Sequence, residues 1–400
     1  MSTLLFFWIV LTLISLGAFV HPFFTYPLSL WIVRIFSNPH PQTEDCPPVP
    51  LTFSIVFCAY NEEKVVSAKL ENMKEIQNRY GADKVRILAY DDCSSDRTLE
   101  ILRQYEPDVQ VFRGTVRSGK STGMNILLEN STSDIVIFTD ANVALSPEVI
   151  PEFTRSFASV EVGVVCGHLI YSNQNTTSRD TPTASIGTAY WKLEEVIKEL
   201  ESKTGSAMGA DGSLFAIRRK LFRPVPADII DDFFTSMSIL CDGHRIIRNA
   251  NAKAFEASAD NSSDEYRRKV RIACRVYNCY RMIRPKIRRL DFWNQYKFYS
   301  HKWLRWLGAL WLTIAMTSFC FAVGTIYHWT SGAASATAIT AMIGTVWLLS
   351  RIGLSIPAKL WSVWLGYWGT LHGVILSLRG ERFQTWSPVA SSRKIVVRQP

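Results

Sequence analysis

The chain has 400 residues, of which 48% are hydrophobic and only 20% charged, with a formal net charge of +9. Its eight cysteines form no CxxC pair and no Cys/His spacing, which excludes a zinc module and a disulfide framework and fits free thiols in a reducing compartment. No Asp, Glu, Lys or Arg occurs before Arg34, between Arg305 and Arg351, or between Lys359 and Arg379; these membrane-length windows flank an ordinarily charged middle and exclude a uniformly soluble surface.

Leu4 to Val20 is nearly uninterrupted apolar sequence with no positive segment before it, so a retained anchor is favoured over a signal peptide. Residues 21–36 are apolar but broken by Pro22 and Pro27 and read as a second, interfacial segment, and the Pro-rich stretch 39–50 is a linker. Then strands and helices alternate. Leu51 to Cys58 is a first strand, followed by a helix through Met73 and Ile76; Val85 to Tyr90 is a second strand, followed by a helix from Leu99 to Tyr105. Val109 to Phe112 is a third strand, a helix opens at Gly119-Lys120-Ser121, and the β-branched run Ile135 to Phe138 is a buried fourth strand. This order predicts an α/β fold with a doubly wound, mostly parallel sheet. Val162 to Tyr171 adds a strand, Ala189 to Leu200 an amphipathic helix and Gly205 to Gly212 a glycine-rich loop.

Each early strand ends in polar chemistry, where open α/β sheets bind ligands. The fourth runs into Asp140-Ala141-Asn142, two oxygen side chains at i and i+2 that suit a hard cation shared with phosphates, or else a turn cap. Asp91-Asp92 follows the second strand, where carboxylates accept from a nucleoside or cap the next helix. Asp231-Asp232 lies in an apolar frame, which raises a carboxylate's pKa toward that of a general base; the alternative is an acidic first turn of a helix. Gly114 to Ser121 fits the phosphate-loop pattern GxxxxGKS letter by letter, but it follows the third strand of the series and lacks a partner acid in the usual setting.

Arg267 to Arg289 holds ten basic residues and no acidic one. Because it precedes the hydrophobic C-terminal third, anionic membrane lipids are its expected partner, not nucleic acid. Leu307 to Trp329, Ala334 to Leu349 and Leu360 to Leu378 are candidate spans, and a basic tail follows from 379 to 400. Asn130, Asn175 and Asn261 sit in sequons that a cytosolic domain leaves unused.

Taken together, Ala59-Tyr60-Asn61-Glu62, Asp91 to Asp96, Gly119-Lys120 through Asn125, Thr139 to Asn142, Gly209-Ala210-Asp211-Gly212 and Asp231-Asp232 resemble a family 2 inverting glycosyltransferase of the membrane-anchored, polysaccharide-building kind. The resemblance covers roughly residues 51 to 290. It implies a GT-A fold, a nucleotide-diphosphate sugar donor (a UDP-sugar first), a divalent cation (Mg²⁺ or Mn²⁺), a glycan or lipid-linked acceptor and polysaccharide-assembly partners. On the matching positions it implies nucleotide contacts from Ala59, Tyr60, Glu62, Asp91 and Asp92, with Lys120, Asp140 and Arg271 near the diphosphate. Metal would be held at Asp140 and Asn142, the acceptor side lined by Gly209, Ala210, Asp211 and Gly212, and catalysis carried by Asp232 with Asp231. Asn142 replaces the second aspartate of the family's DxD. The QxxRW of processive members has only partial matches, at Arg268 to Ile272 and Lys302 to Trp306. The expected organisation is a membrane anchor over 1–38, the transferase domain over 51–263, basic interfacial helices over 264–303 and membrane helices over 304–378, with the catalytic domain on the cytoplasmic face of an inner or plasma membrane. The rival expectations are a catalytically degenerate subunit of an assembly complex and a phosphate-loop NTPase.

Overall fold

The computed structural model describes residues 3–36, 50–172, 182–257, 262–327, 332–351 and 355–385. Most of the expected linker 39–50, most of the basic tail 379–400, and the sequons at Asn175 and Asn261 lie outside them.

Two helices open the chain, α1 (Thr3–Val20) and α2 (Thr25–Phe36). The α/β unit follows as β1 (Phe53–Ala59), α3 (Val66–Tyr80), β2 (Val85–Asp91), α4 (Thr98–Arg103), β3 (Val109–Arg113), α5 (Lys120–Asn130) and β4 (Ile135–Thr139). After it come β5 (Ala144–Leu145), α6 (Val149–Ser156), β6 (Val162–Ser172), α7 (Pro182–Lys203), β7 (Leu214–Arg218), α8 (Asp231–Cys241) and β8 (Arg245–Ala257). The C-terminal third is helical: α9 (Ser262–Ile287), α10 (Phe292–Phe298), a π-turn over Tyr299–Trp303, α11 (Leu304–Trp306), α12 (Gly308–Ile326), α13 (Gly332–Arg351) and α14 (Ser355–Leu378).

The described strands form one eight-stranded sheet in the order β3-β2-β1-β4-β7-β6-β8-β5. β1 to β4 are parallel to one another, as the alternation with helices requires. The sheet as a whole is mixed yet mostly parallel in strand direction: β7 enters antiparallel between β4 and β6, β8 pairs parallel with β6, and β5 pairs antiparallel with β8, so β7 and β5 alone among the described strands run against the rest. Phe138 and Phe215 face each other across the β4–β7 junction, their rings stacked at 4.3 Å.

Both faces of the central strands are covered, which is why β1 and β4 are buried along their whole length. Strand periodicity sends Phe53, Ile55 and Phe57 to the layer shared with Leu70, Met73 and Ile76 of α3, while Val56 and Cys58 face Met124 and Leu127 of α5. The seven described cysteines are free thiols, as expected.

Among the described residues, α1 and α12 are the two helices long and apolar enough to cross a membrane by length and composition. They pair with each other, with Trp8 stacked on Phe321 at 4.8 Å and Thr12 Oγ1 donating to Ser318 Oγ at 2.9 Å. α14 lies along the basic helix α9: Ser377 Oγ donates to Asn278 Oδ1 at 2.6 Å, and Arg281 Nη1 to Ser377 O at 2.7 Å. The solvent side of α9 exposes Arg267, Arg268, Arg281 and Arg284, and the turn after it exposes Arg288 and Arg289.

Candidate active site

The loops after β1 and β2 are sewn together by the residues of their motifs. Asn61, in the left-handed region at φ 53°, accepts from Ser95 N at 2.9 Å, a conformation Asn tolerates better than most residues. Asn61 N donates to Ser94 Oγ at 3.0 Å, and Glu62 N to Thr98 Oγ1 at 2.8 Å. Ala59 ends β1 fully buried, and Glu62 is 3% exposed. Tyr60 is half-buried, with the Arg117 guanidinium stacked 3.7 Å from its ring centre; Arg117 was not anticipated from the sequence.

Asp91 and Asp92 are both fully buried. Asp91 accepts from Ser94 N at 3.2 Å. Asp92 accepts from Ser118 N at 2.7 Å and from Gly119 N at 3.0 Å. The amides of the GxxxxGKS segment are therefore bound to a carboxylate of the chain itself. A phosphate loop needs those donors for its ligand, so the phosphate-loop expectation is corrected. Gly119 sits at φ +89°, and a Cβ there would lie 2.4 Å from Gln384 O, so the turn into α5 requires glycine.

From that turn Lys120 crosses the sheet edge. Its Nζ donates to Asp140 Oδ1 at 2.7 Å and lies 3.6 Å from Asp231 Oδ2. Burial opposes the ammonium charge, but Asp140 and Asp231 outweigh it and hold Lys120 well above the ordinary lysine range.

Asp231 and Asp232 form the first turn of α8. A helix N-terminus favours carboxylates, as does Phe233 N donating to Asp232 Oδ1 at 2.6 Å. Burial and the neighbouring Asp231 charge win nonetheless, pushing Asp232 up to about 7 against the pull of Lys120. The expected acidic first turn and the expected raised carboxylate are one feature. Gly212 closes over it: a Cβ at that position would lie 3.0 Å from Asp232 Oδ2 and 3.3 Å from Lys120 Nζ, so glycine admits the loop to the cluster. On the same loop Gly209 takes φ +103° and Ala210 N donates to Ser236 Oγ at 3.0 Å. Asp211 pairs with the buried Lys198 of α7. Behind Asp232, Phe233 packs with Phe298 and Trp306.

Arg271 is half-buried on α9 among Arg268 and Arg275; burial and these like charges push it down to about 10. The arginine that reaches the α5–α8 junction is Arg275, 4% exposed, whose Nη2 donates to Ile229 O at 2.6 Å and Ser121 Oγ at 2.9 Å. Lys69 was also unforeseen. It is buried beneath the β4 exit, spans Thr139 Oγ1 (3.0 Å) and Val143 O (2.5 Å), and burial pushes it down to about 7 despite Asp140.

Hard cations such as Mg²⁺ are commonly held by one or two carboxylates plus substrate phosphates. Asp140, with a side chain 36% exposed at the sheet edge, fits that arrangement. Asn142 is 9% exposed, and its Nδ2 donates to Glu256 Oε1 at 2.9 Å, leaving its carbonyl oxygen as the group it offers. Among the described residues there is no group of three or more His, Cys, Asp or Glu that could hold a metal ion.

Residues 54–225 match the family model described as Glycosyl transferase family 2. An N-acetylglucosaminyltransferase of Rhizobium leguminosarum bv. viciae is 24% identical over 61% of this chain and 60% of its own. One of Sinorhizobium fredii is 24% identical over 53% and 55%. The chain thus spans little more than half the length of these curated relatives. The mannosyltransferase PcManGT from Pyrobaculum calidifontis, solved with GDP-Man and Mn²⁺, superposes with a TM-score of 0.68 at 20% identity, over 94% of this chain and 99% of that one. It has the same fold, that of the GT-A type.

Proposed function

Since residues 54–225 make this chain a member of glycosyl transferase family 2, we propose that it transfers a sugar, with inversion, from a nucleotide-diphosphate donor to a hydroxyl of a glycan or lipid-linked acceptor. The observation that carries this reading is the arrangement of Asp232, pushed up to about 7, beside the Lys120–Asp140 pair at the carboxyl end of the parallel strands. Asp232 takes the proton of the attacking hydroxyl, with Asp231 holding its pKa near neutrality. Lys120 stabilises the charge that develops on the leaving diphosphate. Asp140, with Asn142 beside it, would hold the divalent cation, which supplies further neutralisation of that diphosphate. Tyr60, Glu62, Asp91 and Asp92 shape the nucleotide side and Gly209 to Gly212 the acceptor side. Arg271 adds positive charge on α9 near the diphosphate, and Arg275 braces the α5–α8 junction beneath the site. The names of the rhizobial relatives, both N-acetylglucosaminyltransferases, support transfer of an N-acetylglucosaminyl group, and a UDP-sugar is the donor to test first.

The same reading places the protein on a membrane, with anchor, transferase, interfacial and membrane segments divided as the sequence suggests. The α1–α12 pair supports an anchored protein, and the exposed arginines of α9 would face anionic lipid at the cytoplasmic surface.

The test is turnover by purified protein in detergent across UDP- and GDP-sugars with Mg²⁺ or Mn²⁺. One donor consumed, with activity abolished by EDTA and restored by the cation, is expected. Hydrolysis of ATP or GTP with no sugar donor consumed overturns the reading.

The pH profile is a second test. A base must be deprotonated to act, so the rate falls as pH drops below about 7 and levels above it. Asp231→Asn removes the like charge that raises Asp232 and shifts this limb to lower pH. A limb near the ordinary carboxylate range in wild type would show that Asp232 is not held near neutrality.

A further inference from the structure

The loop over the catalytic carboxylates is held from behind by α7. Glu201, fully buried on α7, accepts from Met208 N at 3.0 Å through Oε2. Its other oxygen receives two side chains from outside the α/β unit: Tyr26 Oη of α2 at 2.5 Å and His301 Nδ1 of the π-turn at 2.7 Å. His301 Nε2 reaches Glu194 Oε1 at 3.0 Å, and Glu194 also pairs with Arg305. Lys297, fully buried, donates to Glu201 O, Thr204 O and Ser206 O at 2.9–3.2 Å and fixes the chain between α7 and the loop. The far end of the loop is tied by Lys198 to Asp211. α2 is committed to the same assembly, since Tyr26 and Leu30 pack against Ile197 and Leu200 of α7.

We propose that Tyr26, Glu201 and His301 are positioning residues, through which the N-terminal helices set the place of the Met208–Gly212 loop over Asp232. Three buried polar groups converge on one carboxylate, and a buried network loses more than one bond when one member is removed. The loop must be placed closely, because Gly212 leaves only 3.0 Å between a Cβ and Asp232 Oδ2, and a displacement near 1 Å in such a site costs on the order of 100-fold in rate. The N-terminal segment is then a working part of the catalytic unit as well as an anchor. The activity readout rests on the sugar-transfer reading; the exchange readout does not.

The experiment compares full-length wild type, Tyr26→Phe, His301→Gln and Ser29→Ala in detergent. Tyr26→Phe removes one oxygen and keeps the ring. Amide exchange of the segment containing Met208 to Gly212 is expected to quicken about tenfold in Tyr26→Phe and His301→Gln, with α3 and the central strands unchanged. kcat falls about tenfold with donor KM within about twofold, while Ser29→Ala, which removes the neighbouring α2 hydroxyl, changes neither. Unchanged exchange over 208–212 in both Tyr26→Phe and His301→Gln overturns the proposal. Wild type that consumes no sugar nucleotide defeats the sugar-transfer reading, and the exchange result still decides the relay.

Discussion

Asp232→Asn is expected to lower sugar transfer about 1,000-fold while nucleotide-sugar affinity stays within about twofold, because a positioned general base contributes 10²–10⁴-fold. Asn keeps an acceptor for Phe233 N, so the turn survives and the loss is chemical. The variant should also melt at a higher temperature than wild type at pH 8. A carboxylate whose folded pKa is raised, here from 3.8 to about 7, destabilises the native state increasingly as pH rises between those values and in full at pH 8, and an uncharged side chain removes that cost. Steady-state kinetics with a melting curve at pH 8 checks both. Retained turnover would move the base elsewhere; lost turnover with a lower melting temperature would mean a damaged fold.

Lys120→Met is expected to lower turnover on the order of 100- to 1,000-fold, the range seen when one preorganised electrostatic group is removed. Lys120 also neutralises the buried Asp231 and the partly exposed Asp140, and removing the partner of a buried charge destabilises the fold, so the variant should melt earlier at pH 8. The acid limb of its residual activity moves to higher pH, since Lys120 pulls Asp232 down. The two variants next to Asp232 therefore shift its titration in opposite directions, Asp231→Asn down and Lys120→Met up. A pH–rate profile of each decides it; a common direction would show that Asp232 does not carry the limb.

The parallel half of the sheet was legible in the sequence because β-branched runs such as Ile135 to Phe138 alternate with helical stretches at βα spacing. The antiparallel entry of β7 was not: a run buried on both faces, such as Leu214 to Ile217, reads the same in either direction. β8 was missed because Asn249 and Asn251 interrupt its pattern, and β5 because two residues carry no period. At the site, residues at strand ends stood out. Those that support them from behind did not, since Lys69, Lys198, Glu201 and Arg275 lie on helices where a charge reads as a solvated face, yet each is less than 5% exposed. Only a fold shows that such charges point inward.

The segment from Gly114 to Ser121 has a consequence for the cell. A loop with free amides ahead of a lysine would collect triphosphates. Here Asp92 fills that receptor from within. A competing nucleoside triphosphate would have to evict a buried anion and break its backbone bonds before gaining any of its own.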